Sequence, residues 1–377
     1  MSTRSNKNQF TYFITGGGTG GHIYPAIAVA DALKAEQDTE KIFYIGNSKN
    51  PEKQIAENAG YQFLSVDITG MPRKICFKLF QWGVKLIFAT IHACFYISKY
   101  KPDLVFGTGG YVSAPALFAA ILTRTPFVIH DCDAVPGIVS KTAAPYAKSV
   151  SLAFENSKKF VKSGSVHCNG NPIRKEFLEL NKQDARKKLG IEDKLTVVVT
   201  GGSQGAKRIN SALINSLENI FSKYDVQILH QTGKKNFDDV AEELKKVYPE
   251  YKNNKNYILK PYFDDMYVPL VASDIAVSRS GSLSLSEICI SGLASILIPY
   301  PHAAADHQRK NAKEMESQGA SLYLEDADCT PENLCRLLEL LIGNTRELIR
   351  LQNNAKKLAK PEATENIIKQ IKTALNG

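Results

Sequence analysis

The sequence predicts an α/β protein of two doubly wound, Rossmann-like domains. Three observations carry that prediction. Short β-prone runs alternate with helical patterns along most of the chain, as a parallel sheet covered by helices on both faces requires. Such a run is followed twice by a glycine loop and a helix start. The first is Thr15-Gly16-Gly17-Gly18-Thr19-Gly20-Gly21-His22, and the second is Thr200-Gly201-Gly202-Ser203-Gln204-Gly205-Ala206. Finally, 377 residues fit two domains better than one.

In the first half, strands are expected at Phe10–Thr15, Lys41–Ile45, Tyr61–Val66, Leu104–Thr108, Pro126–His130 and Ser149–Phe154, with a last one near Val166. A helix is expected over Pro25 to Glu36, with Pro25 in its first turn. A charged helical stretch, Lys175 to Leu189, then leads into a second series. Its strands are Leu195–Thr200, Val226–Gln231, Tyr257–Lys260, Ile275–Ser278, Ser295–Pro299 and Ser321–Leu324. The expected domains are residues 1–168 and 169–377. The polar helical segment from Pro331 to Leu375 would pack outside, with its last helix crossing back to the first domain. Ligands of such sheets bind beyond the carboxyl ends of the strands, so two facing domains would share a cleft.

The loops suggest chemistry. Glycines let backbone N–H groups and a helix N-terminus approach an anion, although a tight packing turn uses the same residues. Neither loop has the Gly-Lys-Ser/Thr ending of a nucleotide-triphosphate loop. His22 can titrate near neutral pH and act as a base. Arg279-Ser280-Gly281-Ser282-Leu283-Ser284-Leu285-Ser286-Glu287 is small and polar and then enters a helix. A carboxylate placed like Glu287 accepts two sugar hydroxyls, or simply caps its helix. Pro299-Tyr300-Pro301-His302 leads to Asp306-His307-Gln308-Arg309, a cluster rich in hydrogen-bonding groups but without regular metal-ligand spacing.

Composition narrows the class. The hydrophobic fraction of 44% and charged fraction of 23% are those of an ordinary globular protein. A net charge of +9 favours anionic partners, and its wide spread argues against nucleic acid. The seven scattered cysteines form no close pair and read as reduced thiols. The polar stretch Met1 to Gln9 does not resemble a secretory signal. Ile75 to Ile97 is apolar and aromatic, but Lys74, Lys78, Gln81, Lys85 and His92 fall on one helical face, flanked by Phe77, Trp82 and Phe88. Two central lysines oppose a membrane span. The pattern fits either an amphipathic helix lying on an anionic bilayer or a core-packed helix with a solvated face.

Taken together, the motifs resemble the MurG family, peptidoglycan-synthesis N-acetylglucosaminyltransferases. The resemblance runs from Ile14 to about Ala320. It rests on Gly17-Gly18-Thr19-Gly20-Gly21-His22 with Pro25, Gly109-Gly110-Tyr111-Val112-Ser113, Ala134-Val135-Pro136-Gly137, Gly170-Asn171-Pro172-Ile173-Arg174, Gly201 to Ala206, Arg279-Ser280-Gly281 with Ser286-Glu287, and Asp306-His307-Gln308 with Asn311. It implies the GT-B architecture and inverting transfer of N-acetylglucosamine from UDP-N-acetylglucosamine to a polyprenyl-diphosphate-linked muramoyl-pentapeptide, without a metal or other cofactor. It also implies a peripheral location on the cytoplasmic face of the cell membrane, cell-wall synthesis proteins as partners, and a part in cell shape and division.

Residue by residue, the resemblance places Ser203 and Arg174 at the donor diphosphate and Phe263 by the uracil. Ser282, Leu283 and Ser284 would wrap the nucleotide, Glu287 would take the ribose, and Gln308 the sugar hydroxyls. Thr19, Gly20, Gly21 and His22 would face the acceptor. His22 is the first choice of base and Asp131 the second. One stretch departs from the family: His-Glu-Gln-Asn is replaced here by His130-Asp131-Cys132-Asp133. Asp133 thus puts a carboxylate where a neutral amide would touch the donor, which should weaken that contact unless it is paired or protonated. Two rivals stand beside this reading: a GT-B transferase acting on another lipid such as diacylglycerol, and a non-catalytic nucleotide-sugar scaffold. Retention of His22 and Glu287 opposes the second.

Overall fold

The computed structural model describes residues 9–72, 77–202, 204–303 and 306–376. The chain forms two units, Met1–Ile173 with Glu362–Gly377, and Arg174–Pro361.

The first unit is built on a parallel sheet of β1 (Phe10–Thr15), β2 (Thr39–Gly46), β3 (Gln62–Ser65), β4 (Leu104–Gly107), β5 (Phe127–Asp131), β6 (Ser149–Leu152) and β7 (Val166–Cys168). Their order is β3-β2-β1-β4-β5-β6-β7, which reverses between β1 and β4. Strand alternation sorts the apolar side chains onto two faces. Tyr12 and Ile14 point to one face with Ala26, Val29, Leu33, Ile367 and Ile371. Phe13, Phe43 and Ile45 point to the other with Ala93, Ile97 and Leu117. Covering both faces is what a parallel sheet demands, and it explains why these strands read as nearly unbroken apolar runs.

The division between units falls after Ile173, not after Cys168. Residues 169–171 belong to the first unit because the side chains of Asn169 and Asn171 bond within it. Asn169 donates to Ser151 Oγ at 3.0 Å and to Gln370 Oε1 at 2.8 Å, while Asn171 accepts from His130 Nε2 at 2.9 Å. The last helix, Ala363–Asn376, lies on the first sheet. Ile367 and Ile371 are fully buried there, each contributing about 1.5–3 kcal/mol.

The second unit holds β8 (Thr196–Thr200), β9 (Gln227–Gln231), β10 (Tyr257–Lys260), β11 (Ile275–Ser278), β12 (Ala294–Leu297) and β13 (Leu322–Tyr323). The order is β10-β9-β8-β11-β12-β13, all parallel, reversing between β8 and β11. Val197, Val199, Ile228, Val277 and Ile296 pack on Ile209, Leu213, Leu338 and Leu351 of the helices.

Local corrections have clear causes. The first helix begins at Gly20 and runs to Lys34, so Pro25 lies inside it rather than in its first turn. Pro25 has no N–H, and the Gly21 carbonyl loses its intrahelical donor there. The charged stretch 175–189 breaks into Glu176–Glu179 and Lys182–Leu189, because the Asn181 side chain caps the second piece by accepting from Asp184 N–H at 3.0 Å. The helix after the second glycine loop starts at Lys207, so the loop itself extends to Ala206.

Candidate active site

In each unit the loops that leave the two strands at the order reversal stand side by side, which is where a doubly wound sheet takes its ligand. In the first unit these are the loop after β1 and the loop after β4. They clasp one another through His22 and Thr108. His22 Nδ1 lies 2.9 Å from the Thr108 carbonyl, and the Thr108 hydroxyl donates to the His22 carbonyl at 2.6 Å. A carbonyl oxygen only accepts, so Nδ1 carries the hydrogen and a neutral ring keeps its lone pair on Nε2. That is the form a general base needs.

Two left-handed glycines make room for the ring. A Cβ on Gly110 (φ 74°) would lie 3.1 Å from His22 Cδ2. One on Gly109 (φ 80°) would sit 3.5 Å from Asp131 Oδ2 and 3.7 Å from His22 Cε1. Thus His22 and Asp131 flank Gly109. Asp131 is buried and accepts the N–H of Asp133 at 3.2 Å and of Gly137 at 3.1 Å. Burial, with Asp133 adding to it, raises its carboxyl above the ordinary carboxylate range against the pull of Ser140 and His22. Its lone pairs organise the 131–137 loop. His130, next in line, is buried and held neutral. Burial pushes it down to about 4, and it bonds Ser151 Oγ at 3.0 Å and Asn171.

Thr19 is exposed and does not cap the helix beginning at Gly20, so its hydroxyl faces outward beside Gly20 and Gly21. The glycine loop before it is more closed than expected. Gly18 N–H already meets Glu52 Oε2 at 3.3 Å, and Tyr111 packs on Gly18 and accepts from Asn50 at 3.0 Å. Sequence reasoning missed Glu52 and Thr108, and gave Tyr111 only as part of a motif without a role. Asn50-Pro51-Glu52 looks like any helix start, and only the fold brings it under the loop.

In the second unit, Arg174 lies over the rings of Tyr267 at 5.4 Å and Phe177 at 5.8 Å. Its charge reaches Glu287 on the helix Ser282–Ser291. Burial pushes the Glu287 carboxyl up to about 7, with Arg174 opposing. Ser282 is buried and Leu283 and Ser284 are half-buried at the same helix start. Phe263 is buried. Its N–H is held by Gln231 Oε1 at 2.8 Å, and Lys260 lies over its ring. Gln308 accepts Tyr300 N–H at 2.9 Å through Oε1, which turns its Nε2 donors outward, and its carbonyl accepts from Ser280 Oγ. Arg279 steadies the neighbouring loop through Asp326 at 2.6 Å and the carbonyls of Ile298 and Pro299. Ser203 lies outside the described residues.

Two Rossmann-like units, each with a glycine loop at its switch point, have the architecture of the GT-B class. Both halves match the models for glycosyltransferase family 28, the N-terminal domain over residues 12–152 and the C-terminal domain over 196–371. A protein of Caldanaerobacter subterraneus, "UDP-N-acetylglucosamine--N-acetylmuramyl-(pentapeptide) pyrophosphoryl-undecaprenol N-acetylglucosamine transferase", is 37% identical over 365 residues, covering 96% of this chain and 99% of the relative. A protein of the same name from Desulforamulus reducens is 36% identical over 364 residues, covering 96% and 98%. The crystal structure of Acinetobacter baumannii MurG superimposes with a TM-score of 0.77 at 28% identity, covering 97% of this chain and 99% of that one. The chain belongs to the MurG family.

Proposed function

We propose that this enzyme transfers N-acetylglucosamine from UDP-N-acetylglucosamine to an undecaprenyl-diphosphate-linked muramoyl-pentapeptide, inverting the anomeric carbon by single displacement. The observation that carries the chemistry is the His22 ring, fixed through Nδ1 with Nε2 available beside Thr19, Gly20 and Gly21. Nε2 takes the proton of the acceptor hydroxyl as its oxygen attacks C1 of the donor sugar. The C1–oxygen bond to UDP breaks, and the diphosphate leaves with the electron pair. Arg174, held beside the rings of Tyr267 and Phe177, and the loop ending at Ala206 stabilise the departing charge. Glu287 takes the ribose hydroxyls, Phe263 borders the uracil, and the Nε2 donors of Gln308 reach sugar oxygens. Asp133, whose N–H is held by Asp131 and whose carbonyl accepts from Ser157 Oγ, is a variation on the family pattern. Release of UDP that depends on added muramoyl-pentapeptide lipid tests the reading, and UDP release without that dependence would contradict it.

The Glu287 carboxyl accepts two hydroxyl hydrogens, one at each oxygen, only when ionised, so UDP affinity is expected to be several-fold weaker at pH 6 than at pH 8. Glu287→Gln is expected to flatten that dependence. The sign for stability runs the other way. A carboxyl raised from 4.5 to about 7 contributes stability below 4.5 and loses it as pH rises through about 7. Glu287→Gln without ligand is therefore expected to melt a few degrees higher at pH 8, and calorimetry at pH 5 and 8 checks it.

A peripheral location on the cytoplasmic face of the membrane is supported by the helix Phe77–Tyr100. Ala89, Ala93 and Ile97 face the core, while Phe77, Phe80, Ile87, Phe88, Ile91 and Phe95 stand exposed on the opposite side. Lys78, Lys85, His92 and Lys99 run beside that stripe. Trp82 does not flank it as expected. It is half-buried and donates to the Thr69 carbonyl at 2.7 Å. Lys74 and Ile75 lie outside the described residues. An exposed apolar stripe edged with cations fits an anionic bilayer surface, each lysine adding about 1 kcal/mol. Lys78→Glu with Lys85→Glu is expected to weaken binding to anionic vesicles at least tenfold, and Phe80→Ser with Phe88→Ser to weaken binding to neutral vesicles too. Unchanged vesicle sedimentation in both would remove the membrane assignment. At that surface the enzyme would meet the cell-wall synthesis proteins and serve cell shape and division.

A further inference from the structure

A buried chain of hydrogen bonds runs from the last helix, Ala363–Asn376, to the loop that carries Asp131 and Asp133. Its links are Gln370, Asn169, Ser151, His130 and Asn171, all buried. The polarity of each link follows from one carbonyl. Asn171 Nδ2 donates to the Cys132 carbonyl at 3.4 Å, so the other end of that amide, Oδ1, faces His130 Nε2 at 2.9 Å. Nε2 therefore carries the hydrogen, and Nδ1 keeps a lone pair for the Ser151 hydroxyl at 3.0 Å. The Ser151 oxygen in turn accepts from Asn169 Nδ2, whose second hydrogen goes to Gln370 Oε1. Gln370 is turned that way round because its own Nε2 donates to Ser149 Oγ at 3.2 Å. From Asn169 to Cys132 every donor points toward the loop, and Gln370 is the acceptor that fixes which end of the Asn169 amide is nitrogen.

The receiving end of the chain lies against His22. Cys132 is tied twice, by Asn171 at its carbonyl and by its thiol, which lies 3.9 Å from the Thr108 carbonyl. That is the same oxygen that holds His22 Nδ1 at 2.9 Å. Asp131, one residue back, flanks Gly109 on the side opposite His22 Cε1. Both nitrogens of His130 are committed with fixed polarity, so a second ring hydrogen finds no acceptor. His130 thus stays neutral while His22, near enough to oppose a charge on it, gains a proton.

Resting on the reading that His22 is the base, we propose that Gln370 is a positioning residue for the transfer. It touches no reacting atom. It fixes the Asn169 amide, which fixes the Ser151 hydroxyl, which fixes the His130 tautomer, and His130 holds Asn171 against the loop beside His22. Reactions that depend on alignment lose rate when a supporting group far from the chemistry is removed. The last helix, which in sequence is only a polar outer segment, therefore carries a side chain on which turnover depends.

The test is steady-state kinetics of UDP release with added muramoyl-pentapeptide lipid, beside calorimetric UDP titration, on the full-length protein. Gln370→Leu is expected to lower turnover at least about tenfold and to leave UDP affinity within about threefold. Ser151→Ala cuts the chain at the His130 ring from another element, and should give the same split if Gln370→Leu does not fold. In Asn171→Ala the chain has already lost its far end, so adding Gln370→Leu should lower turnover by less than about a further twofold. Ile371→Val loosens the same helix without touching the chain, and should leave turnover within about twofold. Turnover kept within about twofold in folded Gln370→Leu or Ser151→Ala, UDP affinity lost as much as turnover, or an equal loss in Ile371→Val would overturn the proposal. So would a Gln370→Leu loss as large in Asn171→Ala as in the unaltered background. No lipid-dependent UDP release by the unaltered protein would instead overturn the functional reading on which it rests.

Discussion

His22→Ala is expected to lower turnover by about 10²–10⁴-fold, the usual range for loss of a general base. UDP affinity should change by less than about threefold, because every residue assigned to the donor except Asp133 lies in the other unit. The mechanism behind the split is geometric. Nδ1 is committed to the Thr108 carbonyl at 2.9 Å, so the ring offers one lone pair, and no donor contact depends on it. Asp131 cannot substitute, since it is tied to the N–H groups of Asp133 and Gly137. Steady-state kinetics beside UDP titration checks this. Equal loss in turnover and UDP affinity would make His22 a binding residue.

Arg174→Ala is expected to cost about 10²-fold or more in turnover, as removal of a preorganised group at a developing negative charge does. The guanidinium is held over Tyr267 and Phe177 and faces Glu287. An ammonium is a point charge and cannot reproduce the planar, five-donor guanidinium that lies over the two rings, so Arg174→Lys should recover only a small part. The same change removes the cation that opposes burial at Glu287, so the weakening of UDP binding at low pH should begin at higher pH in Arg174→Ala. Full rescue by lysine would mean that a point charge suffices and that the contact with the two rings is incidental.

Much of this was legible in the sequence for physical reasons. Parallel strands buried on both faces must be apolar throughout, so Phe10–Thr15 and Thr196–Thr200 announce themselves. Glycines that must adopt positive φ or admit a neighbour mark the switch-point loops. What the sequence concealed depends on tertiary contact. Glu52 resembles an ordinary helix-start residue until the fold sets it behind a loop. Asp131 reads as a spare base until its lone pairs are found holding backbone N–H groups. Trp82 reads as a membrane-facing aromatic until its indole is found bonded to Thr69. Helical periodicity gave the two faces of Phe77–Tyr100 but not which one meets the core. Small Ala89 and Ala93 allow the close approach there, and the phenylalanines are left outside.

The most direct test of the central claim is transfer of labelled N-acetylglucosamine from UDP-N-acetylglucosamine to lipid-linked muramoyl-pentapeptide, with diacylglycerol offered in parallel. The account predicts a β-linked disaccharide on the muramoyl lipid and no labelled glycolipid from diacylglycerol. Label on diacylglycerol alone, with UDP still bound normally, would contradict it and reassign the acceptor.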